Sequence, residues 1–409
     1  PNNSKVRFFK KFVTLFKKFV FISNRLRTFY HFYESVKNFY MNKQRICIVG
    51  DGLSGLMSAI AINQLPEIEV SLVAKKTSKN LDKRTTAISD TNFKFVKENI
   101  AILNKKLFWP SNKIELFYET NKEKINFLNL SDKNSNLMYV FENDKIKNIL
   151  LKEIRKNKIK VIRKEIKNLN EFKNYDLTIL CLGAQSKIYN KIIKEKSIKK
   201  DYKEIAVTGY VKHKFKNLNT CQYFLKEGPL AILPFSKNCF SFVWSLKKNY
   251  YESNIKKIEN LIKNKILEIL KTKQNISLNN IQSYPITLCL KKNYYNKNIL
   301  ILGEGLHTIH PVAGQGFNLV LRDIKKLKEI IMYYAGLGIS IKNSYALSDF
   351  YNSRKPENII MGLGVDSTHN FFKQNKYLDP FKEIIVKNIS NNNTLKKLSK
   401  IISNQGLSL

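Results

Sequence analysis

The chain of 409 residues has no uninterrupted apolar run of ~18 residues, which removes the expectation of a membrane-spanning helix. Its five cysteines, Cys47, Cys181, Cys221, Cys239 and Cys289, are odd in number and lack any CxxC spacing. That usage suits a reducing compartment and gives no cysteine metal site. No internal repeat and no low-complexity linker interrupts the chain. Acidic residues are scarce, 32 against 72 Lys and Arg, and the formal net charge is +40. Because the lysines travel with Asn, Ile, Tyr and Phe throughout, part of this charge is compositional. Its functional reading is attraction to an anionic surface, either a phospholipid leaflet or a nucleic acid. Aromatic residues fall in apparent core strands and are not interleaved with Lys on one face, so nucleic acid is the weaker of the two.

A length of 409 residues with 43% hydrophobic residues supplies a sizeable core and room for two domains. Two glycine-bearing segments stand out. After Arg45, the apolar run Ile46 to Val49 is followed by Gly50-x-Gly52-x-x-Gly55 and a helical Leu56, Ala59, Ile60 pattern. Between a strand and a helix, Gly50 permits a tight turn, Gly52 lets a pyrophosphate approach the backbone, and Gly55 lets helix and strand pack closely. The second strand, Ile68 to Val73, leads into Ala74 and Lys75, where an acid for the adenosine ribose is usual. Far along the chain, Ile299 to Leu302 reads as another buried strand, ending in Gly303. Pro311 fixes a corner after it, Gly314 and Gly316 allow close backbone approach, and an amphipathic helix begins near Phe317. A strand, a Gly-rich loop and a helix N-terminus together suit a negatively charged or electron-accepting ligand.

Between these segments, Asp82-Lys83-Arg84 offers a guanidinium for a phosphate or carboxylate. A helix is expected up to about Lys156, with Asn143 as its cap, and Tyr175 to Ala184 reads as a third buried strand. From Ile205 onward, alternating aromatic-rich strands predict an antiparallel sheet that walls a pocket. His307 and His310 have an i,i+3 spacing, but no third donor lies near them in sequence and Pro311 adjoins, so both are expected to be structural. The first forty residues repeat Phe8, Phe12, Leu15, Phe16 and Phe19 at three- and four-residue steps among lysines. They are expected to be a basic amphipathic helix lying in a membrane interface, a targeting segment, or an extension upstream of Met41.

The ordered set Gly50-Asp-Gly-Leu-Ser-Gly55, Asp82-Lys-Arg84, Phe141-Glu-Asn143, Gly228-Pro-Leu-Ala-Ile-Leu-Pro234, Ser241-Phe-Val-Trp-Ser245, Gly303-Glu-Gly-Leu-His307 and His310-Pro-Val-Ala-Gly-Gln-Gly-Phe-Asn318 resembles the FAD-dependent aromatic hydroxylases of ubiquinone biosynthesis, which are class A flavoprotein monooxygenases. The resemblance runs from Arg45 to about Phe372. It implies a mixed α/β fold in which a Rossmann-like FAD-binding domain (41–110, 141–200 and 296–343) is interleaved with a substrate-binding sheet domain (111–140 and 201–295), with C-terminal helices at 344–409 and the basic extension at 1–40. FAD is expected along Gly50, Gly52, Leu53, Ser54, Gly55, Lys75, Arg84, Gly303, Glu304, Pro311, Gly314, Gln315, Gly316, Phe317 and Asn318. Glu304, where the family usually has Asp, is expected at the ribityl hydroxyls, and the N–H groups of Gly314 to Phe317 at the reduced ring. In that family NAD(P)H reduces the flavin, O₂ forms a C4a-hydroperoxide, and one oxygen passes to an electron-rich ring. The flavin carries the chemistry, so no catalytic side chain and no metal are expected. Gln185 stands where the wider class has an Asp on the expected NAD(P)H path.

The resemblance thus implies ring hydroxylation of a polyprenylated phenol, with O₂ as co-substrate and other quinone-biosynthesis proteins as partners. It places the enzyme in the cytoplasm, peripheral to the inner membrane. The alternatives are a flavin oxidoreductase acting on another aromatic or isoprenoid, and a non-catalytic basic binding protein that keeps the fold.

Overall fold

The computed structural model describes residues 43–75, 82–100, 107–120, 122–166, 168–184, 186–192, 197–342, 344–373 and 378–406. The N-terminal amphipathic stretch and Gln185 lie outside them.

Strand β1 (Gln44–Val49) has Ile46, Cys47, Ile48 and Val49 fully buried, as its continuous apolar run requires of a strand covered on both faces. It pairs in parallel with β2 (Ile68–Ala74) on one side and β9 (Leu177–Leu180) on the other. β8 (Lys160–Arg163) extends the sheet beyond β2, and β16 (Ile299–Ile301) extends it beyond β9, both in parallel. β15 (Tyr295–Asn296) closes that edge antiparallel. Helices α1 (Leu53–Ile62), α3 (Asn143–Lys156) and α5 (Gly316–Gly336) contribute Leu56, Ile60, Ile146, Leu150, Leu321 and Ile324 to the core around this sheet. Three strands distant in sequence thus lie side by side with their C-terminal ends together. Open parallel sheets bind ligands at such an edge.

An eight-stranded sheet follows the order β17-β14-β10-β13-β12-β11-β5-β6. Its strands are β5 (Lys113–Glu119), β6 (Lys124–Ser131), β10 (Ile198–Lys212), β11 (Thr220–Phe224), β12 (Pro229–Ser236), β13 (Cys239–Lys247), β14 (Ser277–Leu290) and β17 (His307–Thr308). The alternating strands expected from Ile205 are present, and the first of them starts earlier, at Ile198. On one face Phe240, Phe242 and Trp244 pack with Ile262 and Ile266 of α4 (Ile258–Ile269). On the other, Tyr202, Ile286 and Leu288 meet Met361 and Val365 of α6 (Ser344–Phe372) and Val386 of α7 (Asp379–Asn391). A small sheet, β3 (Thr85–Ser89), β7 (Met138–Glu142) and β4 (Trp109–Ser111), links the layers, with α2 (Asp90–Asn99) after β3.

One local expectation is corrected. Asn143 is the first residue of α3 and not its cap; the cap position is Glu142, whose side chain makes no capping bond. The Asn143 amide is used elsewhere: it accepts from Thr86 Oγ1 at 2.6 Å and donates to Asp82 Oδ2 at 2.9 Å. Tertiary partners outweighed local capping.

Candidate active site

The C-terminal ends of β1, β9 and β16 meet at Gly50, Cys181 and Gly303. Gly50 has φ +118°, and a Cβ there would stand 2.2 Å from the Cys181 carbonyl oxygen. A Cβ on Gly55 would stand 2.0 Å from the Gly50 carbonyl oxygen. These two glycines are therefore required by close packing. Gly52 differs: nothing lies within 4 Å of its Cβ position, and as the first residue ahead of α1 it supplies no side-chain cap. The amides of Leu53, Ser54 and Gly55 open α1 beside that empty space. Gly303, at φ +78°, packs on Ser54, whose Oγ would be 2.9 Å from an added Cβ. The two glycine segments, some 250 positions apart, therefore form one continuous wall.

From Gly303 the chain passes exposed Glu304 and buried His307 to Pro311, and then turns through Gly314, at φ +62°, into α5. The N-terminus of α5 also lacks a side-chain cap. Gln315 is buried, and its Oε1 has no hydrogen-bond partner among the described residues. Phe317 packs partly buried against the core. Asn318 is committed to the protein. Its Oδ1 accepts from the Ser89 amide at 2.8 Å and from Asn92 Nδ2 at 2.7 Å, while its Nδ2 donates to the carbonyls of Ala87 and Gly314. It fixes the end of the turn, which leaves backbone and Gln315 to face a ligand.

Arg84 is gripped by Asp82, with Nε 2.7 Å from Oδ1 and Nη2 2.8 Å from Oδ2, and its guanidinium lies 5.3 Å from the Tyr284 ring centre. The Asp82 hydrogen bonds raise the Arg84 pKa against the opposing effect of burial, and the carboxylates of Asp82 and Glu304 add to the rise. Burial works against ionisation of Asp82, but Arg84 and Asn143 outweigh it and hold the carboxyl below its ordinary range. Lys75 is placed less tightly: it is exposed and pairs with Glu165 at 3.3 Å. A residue that sequence reasoning missed, Arg163 at the end of β8, donates to the Lys75 carbonyl at 3.1 Å and reaches Asp51 at 3.3 Å. It brings a guanidinium to the sheet end where Ala74 replaces the usual acid. Nothing in the local pattern of β8 marks it.

These features fit an extended dinucleotide. The uncapped α1 terminus beside open Gly52 suits a pyrophosphate. The second uncapped terminus, with the unsatisfied Gln315 oxygen, suits a polar ring edge. FAD matches both ends.

The two histidines have separate surroundings. His307 Nε2 lies 2.7 Å from Asp323 Oδ2, and Asp323 Oδ1 accepts from Arg354 Nε at 2.6 Å. Burial alone would raise the Asp323 pKa, but Arg354 and His307 together lower it. His310 instead meets Glu204 and His369. The expectation that no third donor stands near the pair is corrected for His310, because the fold brings in two residues more than fifty positions away.

Among known proteins, the FAD-binding domain family matches residues 180–338. The chain is 23% identical over 435 residues to the mitochondrial ubiquinone biosynthesis monooxygenase COQ6 of Dictyostelium discoideum, covering 84% of this chain and 88% of that one. It is 27% identical over 164 residues to 3-demethoxyubiquinol 3-hydroxylase of Escherichia coli, covering 38% and 40%. In fold it is similar to p-nitrophenol 4-monooxygenase PnpA of Pseudomonas putida, with a TM-score of 0.70 at 12% identity, over 90% of this chain and 100% of that one. With the two glycine segments brought together at the strand ends, these findings agree: the chain is a flavoprotein enzyme similar to the FAD-dependent monooxygenases of ubiquinone biosynthesis.

Proposed function

We propose that this enzyme hydroxylates the aromatic ring of a polyprenylated phenol in ubiquinone biosynthesis, with NAD(P)H as electron donor and O₂ as co-substrate. The observation that carries the reading is the meeting of Gly50–Gly55 with Gly303–Asn318 across one sheet edge, in a chain whose relatives include named ubiquinone-pathway hydroxylases. Bound and reduced FAD supplies the activation of O₂ for oxygen transfer. The chain's own part is placement. Gly52 and the first amides of α1 hold the pyrophosphate, Glu304 accepts from the ribityl hydroxyls, and the amides opening α5 stabilise negative charge at the ring edge. A small cavity beside this turn, with mostly apolar walls and lined by Ala87, Leu130, Met138, Gly314, Gln315 and Lys400, marks the side of the turn on which the phenol is placed.

A polyprenylated substrate resides in a bilayer, and the C-terminal helices suit delivery from one. No helix among the described residues is long and apolar enough to cross a membrane. The outer face of α7 exposes Phe381 (65%), Ile384 (60%) and Ile385 (44%), and α8 (Asn393–Gln405) exposes Leu398 and Ile401. Lys387 and Lys397 are exposed on the same two helices. Lys400 and Asn404 of α8 line the cavity from inside. An apolar face with lysines attracts an anionic leaflet. The enzyme then works peripherally on the inner membrane.

Two experiments test this reading. Purified full-length protein reconstituted with FAD is expected to oxidise NAD(P)H faster when a prenylated phenol is added, with one oxygen atom appearing in the phenol by mass spectrometry. Failure to bind FAD, or stimulation by no prenylated phenol together with rescue of no strain lacking a quinone-ring hydroxylase, rejects it. Combining Phe381→Ser with Ile384→Ser is expected to weaken binding to phosphatidylglycerol-containing vesicles about tenfold, because two half-inserted apolar side chains are lost. Unchanged co-flotation would remove α7 from the docking face.

A further inference from the structure

Glu204 on β10, His310 ahead of Pro311, and His369 on α6 are all buried and meet one another. His310 Nε2 is 3.2 Å from Glu204 Oε2, and His369 Nε2 is 3.1 Å from Glu204 Oε1, so each imidazole takes a different carboxylate oxygen. The two rings stack with centres 4.0 Å apart at 22°. Tyr202 stands edge-on to both, and its hydroxyl donates to Asp366 at 2.7 Å. The donor atoms of the trio lie within 4.8 Å of one another, a spacing that also suits a divalent cation.

The hydrogen bonds decide between the two uses. The Val312 amide donates to His310 Nδ1 at 3.2 Å, so in the neutral ring the hydrogen sits on Nε2 and is given to Glu204. A nitrogen that carries its hydrogen has no lone pair for a metal. A metal-bound histidine also usually passes its second N–H to an acceptor. His369 Nδ1 has no such partner among the described residues. Burial lowers the His310 pKa, and His369 beside it contributes, which favours the neutral ring. Burial opposes ionisation of Glu204, but the two histidine hydrogen bonds outweigh it and hold the carboxyl at about 2.

We infer that Glu204 is a positioning residue for the flavin: through His310 it fixes the backbone of the turn that carries Gly314 to Phe317, and through His369 it ties that turn to α6. The His310 ring is bound at both ends, to the turn's own Val312 amide and to β10. Asn318 anchors the far end of the turn to β3. The amides that face the flavin ring are thus held between two fixed points. Glu204 does not touch the reacting atoms and acts only through this geometry.

Glu204→Ala and Glu204→Gln, made in the full chain, separate the possibilities. Alanine leaves two imidazole N–H groups buried without acceptors. It is expected to weaken FAD binding about tenfold and to shift the absorbance maxima and midpoint potential of the bound flavin. Glutamine can keep the bridge: its carbonyl accepts from His310, and its amide donates to His369 once that ring carries its hydrogen on Nδ1. E204Q is therefore expected to retain the wild-type flavin spectrum and FAD affinity. If E204A does not fold, His369→Leu against His369→Gln repeats the comparison, since a glutamine amide can occupy the place of Nε2–H. A flavin spectrum and affinity unchanged in E204A, or in H369L, overturn the inference. So does one equivalent of a divalent metal in the purified protein that is lost in E204Q.

Discussion

Replacing Gly50 by valine is expected to abolish FAD binding and to cost at least about 4 kcal/mol of stability, placing it among the most damaging single changes available to this chain. Two penalties combine. At φ +118° a β-branched residue is strained whatever its surroundings. The new Cβ would also stand 2.2 Å from the Cys181 carbonyl oxygen. Neither partner is free to move away. The Gly50 amide donates to the Val73 carbonyl at 2.8 Å, and the Cys181 amide donates to the Val49 carbonyl at 2.8 Å, so both backbones are fixed in the parallel ladder. Gly52→Ala is the informative partner. With nothing within 4 Å and φ −73°, alanine there is expected to leave the melting temperature near wild type while its methyl fills the space proposed for the pyrophosphate. Thermal unfolding together with flavin titration reads both variants. A stable G50V, or a G52A with full FAD affinity, would break the link drawn between this turn and the cofactor.

The contrast between these glycines shows where the sequence was readable. Strand, glycines and helix follow one another within eighteen residues, and local periodicity records them. The partner wall was legible as a second strand-loop-helix, because Gly303, Pro311, Gly314 and Gly316 leave the same kind of local mark. What the sequence does not record is the side-chain traffic between distant elements. Asn318 looked like a ligand contact and spends its amide on Ser89, Asn92, Ala87 and Gly314. Asn143 looked like a cap and serves Asp82 and Thr86. Arg163, Glu204 and His369 gave no sign, since each sits among ordinary polar neighbours and acquires its role only when the sheets assemble. Buried polar groups need partners, and the fold, not the spacing, decides which partners are within reach.

The same rule governs Asp323→Ala, which is expected to destabilise the protein by about 3–5 kcal/mol because it breaks a fully buried ion pair and leaves Arg354 without its principal partner. Asp323 is wholly inaccessible, and its two oxygens serve His307, Arg354 and Asn358. Arg354 is 5% exposed, so water cannot take over its guanidinium, and the remaining Glu357 already bridges to Arg322. Asp323→Asn is expected to cost less. An asparagine carbonyl still accepts from Arg354, and its amide can donate to His307 Nε2 if that ring moves its hydrogen to Nδ1, an atom with no partner among the described residues. The loss of charge then remains as the main penalty. Denaturant unfolding at neutral pH is expected to rank the wild type above D323N and D323N above D323A. The Asp323 pKa is lowered in the folded chain, so its contribution is fully present above the ordinary aspartate value and fades as pH falls through the folded one. The gap between wild type and D323A is therefore expected to narrow in acid. A gap that stays constant down to the acid transition would mean that packing, and not the buried charge pair, holds α5 and α6 to the cofactor wall.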